Sequence, residues 1–254
     1  MRLHFIESGP ALLVEQGRRI LVVADLHMGI ESGLERHGVH ITSRSASRAD
    51  RVIACIEETE PDLLLLLGDV KHNVPVTSRQ EYRELPGVLE AFRDRVPLRI
   101  APGNHDGGIG RFLEPGELLP PGGALIDGVG YLHGHTHPAP ELLGHLIVLG
   151  HHHPVVSLID TVGCAARARP AYLYSGLAGP CLTEGAETLP GDRTRLLFVP
   201  AFNEFAGGID ILRLRESGIG PLSRCIDEKN AEVFLADGTY VGSPATLCPA
   251  DGGG

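Results

Sequence analysis

The chain has 254 residues, 43% of them hydrophobic and 21% charged, with a formal charge of -10. That length and balance exclude a disordered chain and predict a packed core. The negative charge, with no basic stripe to offset it, argues against general binding of nucleic acid.

The opening MRLHFIESGP lacks the basic-then-apolar pattern of a leader, and the longest apolar run, Leu63 to Leu67, is too short to cross a bilayer. A cytoplasmic protein with no membrane contact is therefore expected. Arg19 to Ala24, Leu63 to Leu67 and Leu98 to Ala101 are apolar runs that stop abruptly in polar residues, the pattern of buried strands feeding loops. Between them, Ser43 to Glu58 and Arg79 to Arg95 read as helices, the second interrupted near Pro86, where a new helix would start. Strand alternating with helix is the α/β signature. Further on, strands are predicted at Val129 to Leu132, Leu146 to Leu149, Ala171 to Tyr174, Leu196 to Val199 and Ile209 to Leu214, with less room for helices. A second sheet packed on the first is expected. Ala231 to Ala236 and Thr239 to Val241 flank Asp237-Gly238, a hairpin turn signal, and the tail 249–254 is expected to fray. With no repeat and no long linker, residues 1–254 read as a single domain. The five cysteines are scattered and never spaced as C-x-x-C, so they read as small buried hydrophobes.

Polar residues gather where the apolar runs end: Asp25 and His27, Asp69, Asn104 and His105, His133, then His151 and His153. Loops at the carboxyl ends of parallel strands converge on one crevice, which a multi-ligand metal site needs. If Asp25-Leu26-His27 is extended, its carboxylate and imidazole point the same way while Leu26 faces the core; His151 and His153 repeat the spacing. Mixed oxygen and nitrogen donors suit Mn, Fe, Co, Ni or Zn better than Ca or Mg. Two divalent ions roughly 3.5 to 4 Å apart, bridged by Asp69, would activate a water and steady both oxygens of an in-line displacement. His105 is then placed to protonate the leaving alkoxide, with Asp106 holding its ring in the right tautomer.

The ordered series D-x-H, GD, GNHD, HGH and GHHH over about residues 20 to 153 resembles the calcineurin-like metallophosphoesterase superfamily. The segments GDVKHNVPVTSRQEYRELPGVL, GNHDGGI and PAFNEFAGG are similar to an archaeal group of predicted phosphoesterases, related to bacterial phosphoesterases associated with DNA ligase. The resemblance implies a β-sandwich flanked by helices, α/β in class, with two facing mixed sheets in four layers. It also implies one metal on Asp25, His27 and His153, a second on Asn104, His133 and His151, Asp69 shared, and His105 as catalytic histidine. Manganese is the expected ion. His135 is a candidate for substrate phosphate.

Two departures stand out. The final motif usually reads GHTH, and here it reads GHHH; a literal GHTH at Gly134 to His137 is set aside because ligands should sit at successive strand ends. In GDVKH, Lys71 and His72 occupy positions often acidic or apolar in relatives, which makes Lys71 a candidate for contact with substrate phosphate. Arg44, Arg48 and Arg79 read as solvated helix charges, and Asn203 as a cap. The expected activity is hydrolysis of a phosphate ester, most simply a small or nucleotide-like diester. The competing expectations are a DNA or RNA nuclease linked to repair, a protein phosphatase, and a non-catalytic module binding metal or nucleotide.

Overall fold

A computed structural model describes residues 1–159, 165–178 and 193–247. Five strands form the first sheet in sequence order: β1 (Arg2–Ile6), β2 (Ala11–Gln16), β3 (Arg18–Val23), β4 (Leu63–Leu66) and β5 (Leu98–Ile100). The first three run antiparallel, and β3, β4 and β5 are parallel. Parallel neighbours need a crossover. Here α1 (Ile30–Arg36) and α2 (Ser45–Thr59) connect β3 to β4, and α3 (Arg79–Arg93) connects β4 to β5.

The unbroken apolar runs have a simple cause, because both faces of this sheet are covered. Leu21, Val23, Leu64 and Leu66 pack under α2 and α3 beside Val52, Leu89 and Phe92. Their neighbours Ile20, Val22, Leu63 and Leu65 point the other way, against Tyr131, Val148 and Leu197 of the second sheet. That second sheet comprises nine strands among the described residues. They are β6 (Ala124–Ile126), β7 (Val129–Leu132), β8 (Leu146–Leu149), β9 (Pro154–Ile159), β10 (Ala165–Gly176), β11 (Arg195–Phe198), β12 (Ile209–Asp210), β13 (Glu232–Leu235) and β14 (Tyr240–Gly242). It is mixed, with β7, β8 and β11 mutually parallel and β10 antiparallel to its partners β9, β11 and β13. Its outer face is closed by α4 (Ile211–Leu214) and short turns, which bury Ile211, Leu214 and Leu222 on Ile147, Leu149 and Phe198. Two mixed sheets thus face each other with helices outside both, the expected sandwich.

Several local expectations change. Helix α3 passes through Pro86 without a break, because Leu85, Val88, Leu89 and Phe92 bury one continuous face and packing outweighs the lost backbone bond. It starts at a capping box, in which Ser78 Oγ accepts from Glu81 N and the Glu81 carboxylate accepts from Ser78 N. The strand expected over Ile209 to Leu214 stops after two residues. Asp210 Oδ1 accepts from Leu212 N at 3.0 Å and starts the turn α4, whose Ile211 and Leu214 share a face. The β13–β14 hairpin forms as expected, with Gly238 left-handed in its turn. The tail 249–254 lies outside the described residues. Cys55 is free and buried, whereas Cys225 is disulfide-bonded, so the five cysteines are not all unpaired. No helix among the described residues is long and apolar enough to cross a membrane.

Candidate metal centre and active site

The carboxyl ends of β3, β4 and β5 in one sheet and of β7 and β8 in the other open onto a common place. Five polar residues there have left-handed backbones: Asp25 (φ 56), His27 (φ 43), Asp69 (φ 48), His151 (φ 69) and His153 (φ 43). A non-glycine residue held there costs about 1 to 3 kcal/mol, and such positions collect at functional sites. Asp25-Leu26-His27 is therefore not the extended segment expected, although Leu26 is buried in the core. A left-handed residue on each side of Leu26, rather than strand alternation, turns both polar side chains inward.

Backbone bonds hold this conformation, with His27 N donating to Asp69 O at 2.7 Å and Met28 N to Val70 O at 2.8 Å. Asn203, distant in sequence and buried, donates from Nδ2 to Leu26 O (2.8 Å) and His27 O (3.2 Å), while its Oδ1 accepts from Phe205 N. Two glycines permit the close packing. A Cβ on Gly68 would lie 2.4 Å from His133 Nδ1, and one on Gly103 would lie 2.1 Å from Asp69 Oδ1.

Donor atoms among the described residues gather in three groups, Asp25 with His27 and His153, Asp69 with His133 and His151, and His27 with His72 and His105; within each, the ligand atoms lie within 4.8 Å of one another, and the first two hold the carboxylates. Asp69 joins those two. Its Oδ2 is 3.7 Å from His27 Nε2, and its Oδ1 is 3.5 Å from His133 Nε2. Asn104 Oδ1 stands 3.2 Å from the same His133 nitrogen. His133 Nδ1 donates to Leu67 O at 2.7 Å and His151 Nε2 to Ile219 O at 3.0 Å, which leaves the other ring nitrogen of each free to bind. All seven expected ligands, Asp25, His27, Asp69, Asn104, His133, His151 and His153, lie in this one cluster, while His137 is exposed.

The charges ask for cations. Asp25 and Asp69 are almost wholly buried. Burial works to raise both carboxyls, but His153 and His133 beside Asp25, and His133 beside Asp69, hold them below the usual range. Against the desolvation that disfavours its charge, the bond to Asp69 lifts His133 to about 9. His153 Nε2 is buried with no hydrogen-bond partner, although Asp25 Oδ1 lies 3.3 Å away. Asp25 and Asp69 also accept from the backbone N–H groups of His151 and His105, but buried carboxylates neighboured by several imidazoles, and an orphaned ring nitrogen aimed at a carboxylate, fit a site where metal ions replace the imidazole protons.

The family model for calcineurin-like phosphoesterase matches residues 18–169. The chain belongs to this family. It is accordingly a metal-dependent phosphoesterase that acts on phosphate-ester substrates with divalent ions. Among solved structures, the Pseudomonas putida nuclease MPE is similar at a TM-score of 0.55 and 18% identity, covering 91% of this chain and 90% of that one. The phosphoesterase Yfce from E. coli is similar at a TM-score of 0.40 and 13% identity, covering 88% and 96%.

In this phosphoesterase His105 stands at the edge of the cluster, its Nε2 3.9 Å from Asp69 Oδ2 and its Nδ1 on the carbonyl of His72. The role expected of Asp106 does not hold, since the carboxylate accepts instead from Lys71 N (3.1 Å) and Gly103 N (2.9 Å). Asp106 thus pins the GDVK loop to the GNHD loop, and the His72 carbonyl orients the His105 ring. Burial, then Asp69, push the Asp106 carboxyl up to about 6. Lys71 does not face a substrate either. It is fully buried with its ammonium on Asn73 O, because the chain here pairs with Met28 and turns the side chain inward. His135 is half-buried beside His133 and His151, its ring centroids 5.2 and 6.0 Å from theirs, and its buried Nδ1 has no partner.

Arg48 is a further correction, since it is buried rather than solvated, with Nη2 3.1 Å from Glu31 and Nε 3.5 Å from Glu204. Sequence reasoning missed what Asn203 and the ring of His72 do at the centre. The signals were the unusual histidine in GDVKH and the PAFNEFAGG segment, which marks Asn203 only as a cap; its bonds to the carbonyls of Leu26 and His27 leave no trace in local pattern.

Proposed function

We propose that the chain is a dinuclear, manganese-dependent phosphodiesterase acting on small or nucleotide-like esters. One ion would sit on Asp25, His27 and His153, the other on Asn104, His133 and His151, with Asp69 shared. The observation that carries this is the pair of donor groups joined through the two oxygens of Asp69. When bound, such ions supply Lewis acidity and an activated nucleophile for an in-line displacement at phosphorus. The protein supplies the rest. His105, with Nδ1 committed to the His72 carbonyl, keeps Nε2 as the atom that passes a proton to the leaving oxygen. The half-buried ring of His135, beside His133 and His151, is the candidate for contact with a phosphate oxygen. Mixed imidazole and carboxylate donors favour manganese over magnesium, and the shared core between the sheets supports reading residues 1–254 as one domain.

Bis-p-nitrophenyl phosphate and p-nitrophenyl phosphate, assayed with added Mn, test the reading. Faster turnover of the diester is expected. No turnover of either ester by protein shown to hold two ions would overturn it. A nuclease is the second reading, motivated by the likeness to a nuclease of similar fold, and the charge of -10 weighs against it. Cleavage of single-stranded DNA that weakens steeply with salt would reverse that order.

A further inference from the structure

We propose that His72 is a positioning residue that sets the tautomer of His27, turning the Nε2 lone pair of His27 into the metal centre. The proposal rests on the reading of His27 as a ligand. His72 Nδ1 lies 3.2 Å from His27 Nδ1, and two facing imidazole nitrogens bond only when one donates and the other accepts. If His27 donates, its Nε2 carries a lone pair toward Asp69, 3.7 Å away. If His72 donates, His27 must carry its proton on Nε2, where it can face the carboxylate but bind no cation. Coordination through His27 Nε2 and acceptance by His72 therefore require each other.

The surroundings hold the ring of His72 in place against His27. Its backbone N donates to Glu81 Oε1 at 2.9 Å, its ring stacks on His105 with centroids 5.4 Å apart, and its Nε2 faces Gly33, where a Cβ would come within 3.1 Å. One residue thus serves two others, His105 through its carbonyl and His27 through its ring. The three rings could also group around an ion of their own, since one nitrogen of each lies within 4.8 Å of the others. Charge argues against that. His27 would have to bridge two ions as an imidazolate, and a third dication would share two buried carboxylates, Asp25 and Asp69, with the other two.

The test is titration of Mn into metal-stripped full-length protein, followed by calorimetry and elemental analysis. Wild type is expected to bind two ions. In His72→Phe, which keeps a ring to stack but has no acceptor, one of them should bind about 10 to 100 times more weakly. His72→Asn, whose Oδ1 replaces the acceptor, should stay within a few-fold of wild type. Equal binding by wild type and His72→Phe, or equal weakening in both variants, would overturn the proposal. Three ions in wild type and two in the variants would make the ring a ligand and also overturn it. Absence of any ion in wild type would remove the metal-centre reading and the proposal together. Nitrogen-15 histidine spectra of the zinc-loaded wild type give a check that needs no variant. His27 protonated on Nδ1 is expected, and protonation on Nε2 would refute the inference.

Discussion

Asp25 and His27 are held in a backbone conformation that their side chains disfavour, and the force that holds them comes from elsewhere in the chain. Asn203 supplies two of the bonds, to the carbonyls of Leu26 and His27. In Asn203→Ala the buried Leu26 carbonyl loses its donor, while that of His27 keeps Ile30 N; this costs about 1 to 3 kcal/mol, and the turn is released. We expect that loss in urea denaturation of the metal-free protein, together with weaker Mn binding; unchanged affinity would show that the backbone pairing with Asp69 and Val70 suffices. Gly103 shows the same constraint in steric form. Gly103→Ala places a methyl on Asp69, so ion binding should fall at least tenfold while the circular dichroism stays native-like.

Helices α1, α2 and α3 are tied together at one end by a buried charge network. Arg48 faces Glu31 and Glu204, and Glu31 also accepts from Arg44 N and Gln80 Nε2. Arg48→Met leaves Glu31 buried without its ion partner, and a loss of about 3 to 5 kcal/mol is expected. Adding Glu31→Gln should recover part of it; no recovery in urea melts would mean that packing of the guanidinium, not charge, carries the cost. Glu81 does related work at the start of α3. Burial acts to raise its carboxyl, but the N–H groups of Asn73 and Ser78 overcome this and hold it below its ordinary value near 4.5. A depressed carboxyl contributes stability that is complete above that ordinary value and is lost as pH falls through the lower folded one. Glu81→Gln turns an amide toward Ser78 N, so it should cost about 1 to 3 kcal/mol at pH 7. Its gap from wild type should narrow below pH 4.5, and a gap independent of pH would exclude the charge as its origin.

At the scale of the whole molecule, two sheets meet over a shared core and hold the centre between their strand ends, so ions should act as a clamp across the sandwich. Mn at 100 times its dissociation constant would add about 2.7 kcal/mol. A rise in melting temperature reversed by EDTA is expected, and a melting temperature indifferent to both would count against a metal centre. The amino-acid order alone determined the alternation of strands and helices and which polar residues end the apolar runs. A strand buried on both faces must be continuously apolar, as Leu63 to Leu66 is, and the chain turns polar where such a run leaves the core. Tertiary structure decided what depends on unseen partners. It made the ligand turns left-handed, buried Lys71 and Arg48, turned Asp106 away from His105 and brought Asn203 and His72 into the centre. Each of those outcomes rests on a backbone carbonyl or N–H, or on a charge, contributed by another segment, and local residue pattern carries no record of which segments will meet.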